Sequence, residues 1–120
     1  MDEQRSGADA RDVPTSDHYS LALGRAVAQH LMTDRSRVKA IGRRNLARAR
    51  TRHQTEPSWL RRWQELLDGP EDQLVDVLTS PDEDARVLRQ SSPFAGVLTP
   101  RERWKTLRDV KEARRAARSA

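Results

Sequence analysis

The chain has no cysteine and few aromatics, with one Phe, one Tyr and three Trp in 120 residues. Without thiols it can form no disulfide, no thiolate nucleophile and no Cys-ligated zinc or iron–sulfur site. Long apolar runs are also missing. No stretch approaches the roughly 18 apolar residues of a membrane span, and the acidic start, Met1 to Asp17, lacks the apolar core of a secretory leader. A cytoplasmic chain with no membrane partner is expected. Strand signals are absent too, because β-branched residues are few and none alternate with polar ones over a useful length. No Gly-rich phosphate loop, Gly-x-Ser-x-Gly elbow or Ser/His/Asp series occurs, so enzymes are the least supported class and no cofactor is expected. His18, His30 and His53 lie in separate segments without the i, i+4 spacing of a zinc helix, and no metal site is expected.

What the chain does have is charge. Charged residues make up 34% and hydrophobic residues 35%, enough for one domain with a thin core. Twenty Arg stand against three Lys, beside 14 Ala; the excess fits either bidentate anion recognition or GC-rich coding. Its distribution says more than its total. Net charge runs −3 over residues 1–34, +9 over 35–62, −8 over 63–84 and +7 over 85–120. Such blocks either pair with one another or offer a face to a charged partner.

In chain order, residues 1–15 have too few apolar side chains to offset the entropy of ordering and read as a disordered tail. Residues 16–118 read as a single helical domain. Ser16 or Asp17 caps a first helix through Met32, with Leu23, Ala26, Val27, His30 and Leu31 along one side. Thr33 or Asp34 starts a second, Arg35 to about Arg52, with Val38, Ile41, Asn45 or Leu46, and Ala49 as a narrow apolar stripe. Gly42 in its middle marks a close crossing or a bend. Pro57 opens a third helix, in which Trp59, Leu60, Trp63, Leu66 and Leu67 make the strongest amphipathic pattern in the chain. Gly69-Pro70 ends it, with Gly expected in the left-handed conformation, and a helix burying Leu74, Val75, Val77 and Leu78 follows. Ser80-Pro81-Asp82-Glu83 and Thr99-Pro100-Arg101-Glu102 both read as capping boxes. They start helices expected to bury Ala85 and Leu88 in one case, and Trp104, Leu107, Val110 or Lys111, and Ala113 or Ala117 in the other. The fold class is all-α, a small irregular bundle of five to six short helices.

Three constellations bear on function. The acidic residues Asp68, Glu71, Asp72, Asp76, Asp82, Glu83 and Asp84 lie near helix starts, where the macrodipole favours negative charge, so capping is preferred over acid–base chemistry. The Arg-rich helix carries Arg37, Lys39, Arg43, Arg44 and Arg48, candidates for phosphate contacts if DNA is a partner. It has no aromatic stacking residues, which disfavours single strands. Lastly, Ser92, Pro93, Phe94, Ala95, Gly96, Val97 and Leu98 form an uncharged island between two helices. Its apolar side chains either fold back onto the body or dock on a partner. Trp59 and Trp63 share a helix face and serve either as core or as partner contacts.

The run Trp59-Leu60-x-x-Trp63-x-x-Leu66-Leu67-Asp68-Gly69-Pro70 is followed by Leu88-Arg89-Gln90-Ser91-Ser92-Pro93-Phe94-Ala95-Gly96-Val97-Leu98 and then an Arg-rich helix. This pattern resembles small helical proteins of GC-rich bacteria that look like the antitoxin partners of two-gene toxin–antitoxin pairs. The likeness covers about residues 20 to 110. It implies a non-enzymatic protein that binds and neutralises a toxin encoded by a neighbouring gene, with Trp59, Trp63 and Ser92 to Leu98 as partner-binding residues and a homodimer open. Repression of its own promoter is also implied, although no ribbon or helix-turn-helix module is visible. A DNA-binding transcriptional regulator using the helix over 35–52 is the alternative.

Overall fold

The computed structural model describes residues 15–119, and the tail expected over 1–15 lies, but for Thr15, outside them. Six helices and no strand occur among the described residues: α1 (Thr15–Thr33), α2 (Arg35–Thr51), α3 (Ser58–Asp68), α4 (Glu71–Thr79), α5 (Glu83–Arg89) and α6 (Pro100–Ser119). This is the all-α architecture that the helical periodicities predict. No helix among the described residues is long and apolar enough to cross a membrane.

The core is built around α3. Leu60, Trp63, Leu66 and Leu67 have at most 1% of their surface exposed, and each such side chain contributes on the order of 1.5–3 kcal/mol by leaving water. Val38, Leu46 and Ala49 of α2, Leu74 and Leu78 of α4, and Val27 and Leu31 of α1 belong to the same cluster, with α2 and α4 packing directly on α3. α1 touches α2, α4, α5 and α6, so it serves as the central strut of the bundle. Two glycines permit the close approaches. A Cβ on Gly24 of α1 would run into the carbonyl oxygen of Leu78, and one on Gly42 of α2 would sit 2.9 Å from Cε1 of Phe94. Gly42 therefore marks a close crossing.

The helix termini show which local signals dominate. At α6 the capping box is complete: the Glu102 amide donates to Thr99 Oγ1 at 3.0 Å, and the Thr99 amide donates to Glu102 Oε1 at 2.8 Å. The expected box at Ser80 does not form. Helix α5 begins two residues later, at Glu83, and Ser80 Oγ accepts instead from the Asp82 amide at 3.1 Å. The Ser80 amide is already donated to the Asp76 carbonyl of α4 at 2.8 Å, so it has no proton to give the Glu83 side chain, and the backbone is extended at both Ser80 and Asp82. Gly69 also departs from expectation, with an extended backbone at φ −97°, ψ −165°. Gly96 is the one residue at positive φ among those described, at 100°.

The last helix differs from its predicted orientation. Trp104, expected inside, is 61% exposed, and α6 buries no residue fully. Leu107 and Val110 are only half-buried. Helix α6 packs on α1 alone among its substantial neighbours, so one side suffices for contact and the Trp falls on the opposite side. Its first turn is fixed by Glu102, whose Oε2 lies 2.7 Å from Nε2 of His30 on α1.

Candidate functional site

The uncharged island folds back. Phe94 and Val97 are 3% and 0% exposed and belong to the same core as α3. The Phe94 ring meets the Trp63 indole edge to face, with centroids 5.7 Å apart. The indole Nε1–H is shared between the Leu88 carbonyl and Ser91 Oγ, both at 3.2 Å. Helix α2 then grips the loop backbone from outside. The Asn45 side-chain amide donates to the carbonyls of Pro93 and Ala95 at 2.6 and 3.0 Å, and Arg37 Nη2 donates to the Val97 carbonyl at 2.7 Å. These donors satisfy carbonyls that no helix or strand would satisfy.

Of the nine residues expected to touch a partner, Trp63, Pro93, Phe94 and Val97 are enclosed and out of reach while the domain is folded. That corrects their expected role: they hold the loop. Ser92, Ala95 and Gly96 are exposed, and Leu98 is partly so. Trp59 is half-buried at the core margin, edge-on to His53 with centroids 5.6 Å apart.

The basic residues of α2 divide between two faces. Arg43 Nη2 donates to the Leu67 carbonyl and to Asp68 Oδ1, both at 3.1 Å, and Lys39 lies close enough to Asp68 to act on it electrostatically. The Asp68 carboxyl is held below the usual carboxylate range, first by a hydrogen bond from Gln64 and then by Arg43. Arg35 Nε stands 3.0 Å from Glu71 Oε1, and Arg50 Nη2 stands 3.4 Å from Glu56 Oε2. Thus part of the acidic block neutralises one side of α2, as segregated charge allows. Arg37, Arg44 and Arg48 are exposed and lie on the other side, with Arg37 and Arg44 next to the loop. The five expected phosphate contacts therefore do not share a single surface.

The acids do little capping. No side-chain cap bond forms at α4 or α5, although Glu71, Asp72, Glu83 and Asp84 lie in first turns. No group of three or more His, Asp or Glu placed to hold a metal occurs among the described residues.

Two features were not singled out from the sequence. The first is an outward seam on α6. Arg101, Trp104, Arg108, Lys111, Arg115 and Arg118 recur at alternating spacings of three and four and are all exposed. The Arg108 guanidinium sits 4.8 Å over the Trp104 ring, a cation–π contact. Lys105 and Arg108 reach Asp109, at 2.9 and 3.9 Å, while Glu112 adds a third acid to a helix with eight cations. The spacing was legible, but the expectation of a buried Trp104 concealed it.

The second is Arg89 on α5, the one buried charged residue among those described, at 7% exposure. Its Nη1 donates to the carbonyls of Val77 and Ser80 at 2.8 and 2.6 Å, and its Nε donates to Ser20 Oγ at 3.0 Å. Burial pulls its proton affinity below that of a solvated arginine, and the charge of Asp17 partly offsets this. Nothing in the local sequence distinguishes Arg89 from the other arginines, because its role depends on α1 and α4 closing around it.

No protein-family model matches the chain, and neither a curated protein nor a solved structure is significantly similar to it.

Proposed function

We propose that this chain works by binding, as an antitoxin-like inhibitor that occludes a partner protein, and that α6 is the element it presents. The observation that carries the reading is the exposed seam of Arg101, Trp104, Arg108, Lys111, Arg115 and Arg118. At 1.5 Å per residue, 20 residues give α6 a length of about 30 Å. Trp and Arg are the side chains most often dominant at protein interfaces, since each offers a large contact surface with a polar handle. A rigid helix held on one side and free on the other loses little entropy when it docks. The seam also has the heptad spacing of a coiled coil with charges where apolar residues belong. It repels a second copy of itself and suits an acidic partner. The loop over 92–98 supports this arrangement by fixing where α6 begins, through the Thr99 cap.

The test is coexpression with the product of the adjacent gene, followed by purification and titration of the complex. A stoichiometric complex is expected, with Trp104→Ala or Arg108→Ala costing about 2 kcal/mol or more of affinity. Failure to form a complex at low salt, or a complex indifferent to both substitutions, would count against the proposal.

The same charge pattern favours a second reading, a nucleic-acid surface on α6 rather than on α2. Five cations in one line could neutralise about five phosphates, so log affinity for duplex DNA would fall against log salt with a slope of about −4 to −5. Arg115→Ala with Arg118→Ala would lower that slope by about two. Affinity that ignores salt removes this reading.

A further inference from the structure

The cations of α2 fall into two sets that the fold treats differently. Arg35, Arg43 and Arg50 are matched by Glu71, Asp68 and Glu56. Arg44, Arg48 and the capping residue Arg52 are exposed, and no hydrogen bond or ion pair reaches their side chains among the described residues. They stand four residues apart, so they form one row along the helix with a rise of about 6 Å between neighbours. Like charges at that spacing repel one another, and nothing among the described residues relieves the repulsion. Arg37 is not part of the row, because it is held on the Val97 carbonyl at 2.7 Å and lies 3.9 Å from Asp34.

The row starts at the uncharged loop. Arg44 Nη2 would lie 3.9 Å from a Cβ placed on Gly96, so its guanidinium rests beside the loop tip. There the Val97 amide donates to the Phe94 carbonyl at 3.1 Å, closing a turn in which Gly96 has φ 100°. The amides of Ala95 and Gly96, both exposed, have no acceptor among the described residues. Guanidinium groups and backbone amides are donors alone, so the strip calls for oxygen atoms that carry negative charge.

We infer that this strip is a docking site for an extended acidic peptide segment, with carboxylates on Arg44, Arg48 and Arg52 and one end at the Ala95–Gly96 turn. In an extended chain every second side chain points the same way, about 6.6–6.8 Å apart. That repeat is close to the rise between the arginines, about 6 Å. Each guanidinium can hold a carboxylate by two parallel hydrogen bonds. A nucleic-acid duplex fits less well. Its two strands of phosphate call for two rows of cations, and the opposite flank of α2 is already neutralised by Asp68, Glu71 and Glu56. The strip needs nothing from the seam of α6 and stands or falls separately from the proposal made for that helix.

The experiment titrates the ¹⁵N-labelled full chain with a short peptide alternating Glu and Ser, and follows backbone amides, arginine Nε–H and the Trp104 indole N–H. Saturable shifts are expected at the Ala95 and Gly96 amides and at the Nε–H of Arg44, Arg48 and Arg52. Raising salt from about 0.05 to about 0.5 M should weaken that binding about tenfold or more, because exposed charges are screened. Arg44→Glu with Arg48→Glu, read at Gly96, should also weaken it at least about tenfold. If that variant loses its amide dispersion, Arg48→Ala with Arg52→Ala replaces it, with the same direction of effect. Absent shifts along the strip, shifts confined to α6, equal shifts from a peptide alternating Gln and Ser, or undiminished binding by a folded variant would overturn the site. Tighter binding of a short DNA duplex than of the peptide at the same signals would overturn the assignment of its ligand.

Discussion

Replacing Phe94 by Ala tests the central structural claim, that the uncharged loop is part of the core and fastens α6 to the bundle. The ring is 97% enclosed, meets Trp63 edge to face at 5.7 Å, and fills the space above Gly42. Removing it forfeits the burial of an aromatic ring and leaves a cavity that Gly42 cannot help to fill, for a cost of about 3–5 kcal/mol. The lost aromatic pairing, about 0.5–1.5 kcal/mol, is included in that figure. A domain of this size is stable by about 5–15 kcal/mol, so about a fifth or more of the total is at stake. In urea, with a slope of about 2 kcal/mol per molar, the unfolding midpoint should fall by about 2 M. Trp104→Ala provides the internal control, since a side chain 61% exposed should alter stability by no more than about 0.5 kcal/mol. A midpoint shift for Phe94→Ala below about 0.5 M would refute the placement of the loop.

Other changes probe the remaining contacts. Gly24→Ala should destabilise by about 1–3 kcal/mol or more, because its Cβ meets the Leu78 backbone and α1 must move away from α4; a gain of about 1 kcal/mol, as helix propensity alone implies, would contradict the crossing. Asn45→Asp should be worse than Asn45→Ala in thermal unfolding, since a carboxylate would face the carbonyls of Pro93 and Ala95 where a donor now stands. Glu102 has its carboxyl held below the usual range, first by the Thr99 amide and then by His30. A depressed folded pKa contributes stability above the unfolded value of about 4.3, lost as pH falls through the folded one. The melting temperature should therefore decline on acidification below that value, and Glu102→Gln should flatten that part of the profile; an unchanged profile would remove Glu102 from the account.

Sequence periodicity located helices wherever apolar side chains had no competing use. In α3 the spacing of Leu60, Trp63, Leu66 and Leu67 marks one apolar face, and that face is buried, Trp63 included, which the spacing had left open between core and partner contact. The Thr99 box was readable for a similar reason, since its two hydrogen bonds lie within four residues and need nothing from the rest of the fold. The Ser80 box has the same letters and fails, because the Ser80 amide still closes the end of α4 on the Asp76 carbonyl. Trp104 was misplaced by the reasonable assumption that a scarce Trp must be buried. Helix α6, however, meets the body along one side only, and the orientation that pairs Glu102 with His30 turns Trp104 outward.

By itself, then, the sequence determined an all-α chain, the order of its helices and the face that α3 would bury, since amphipathic spacing and Pro-led caps act over a turn or two. It also showed that opposite charges were segregated and that an uncharged loop lay between two helices. Tertiary structure decided which arginines pair inside the domain, that Phe94 and Val97 complete the core, and that one arginine is buried. Those outcomes depend on contacts between residues tens of positions apart, such as Asn45 with Pro93 and Arg89 with Ser20. No local pattern encodes such contacts, because their energy is gained only after the helices have packed.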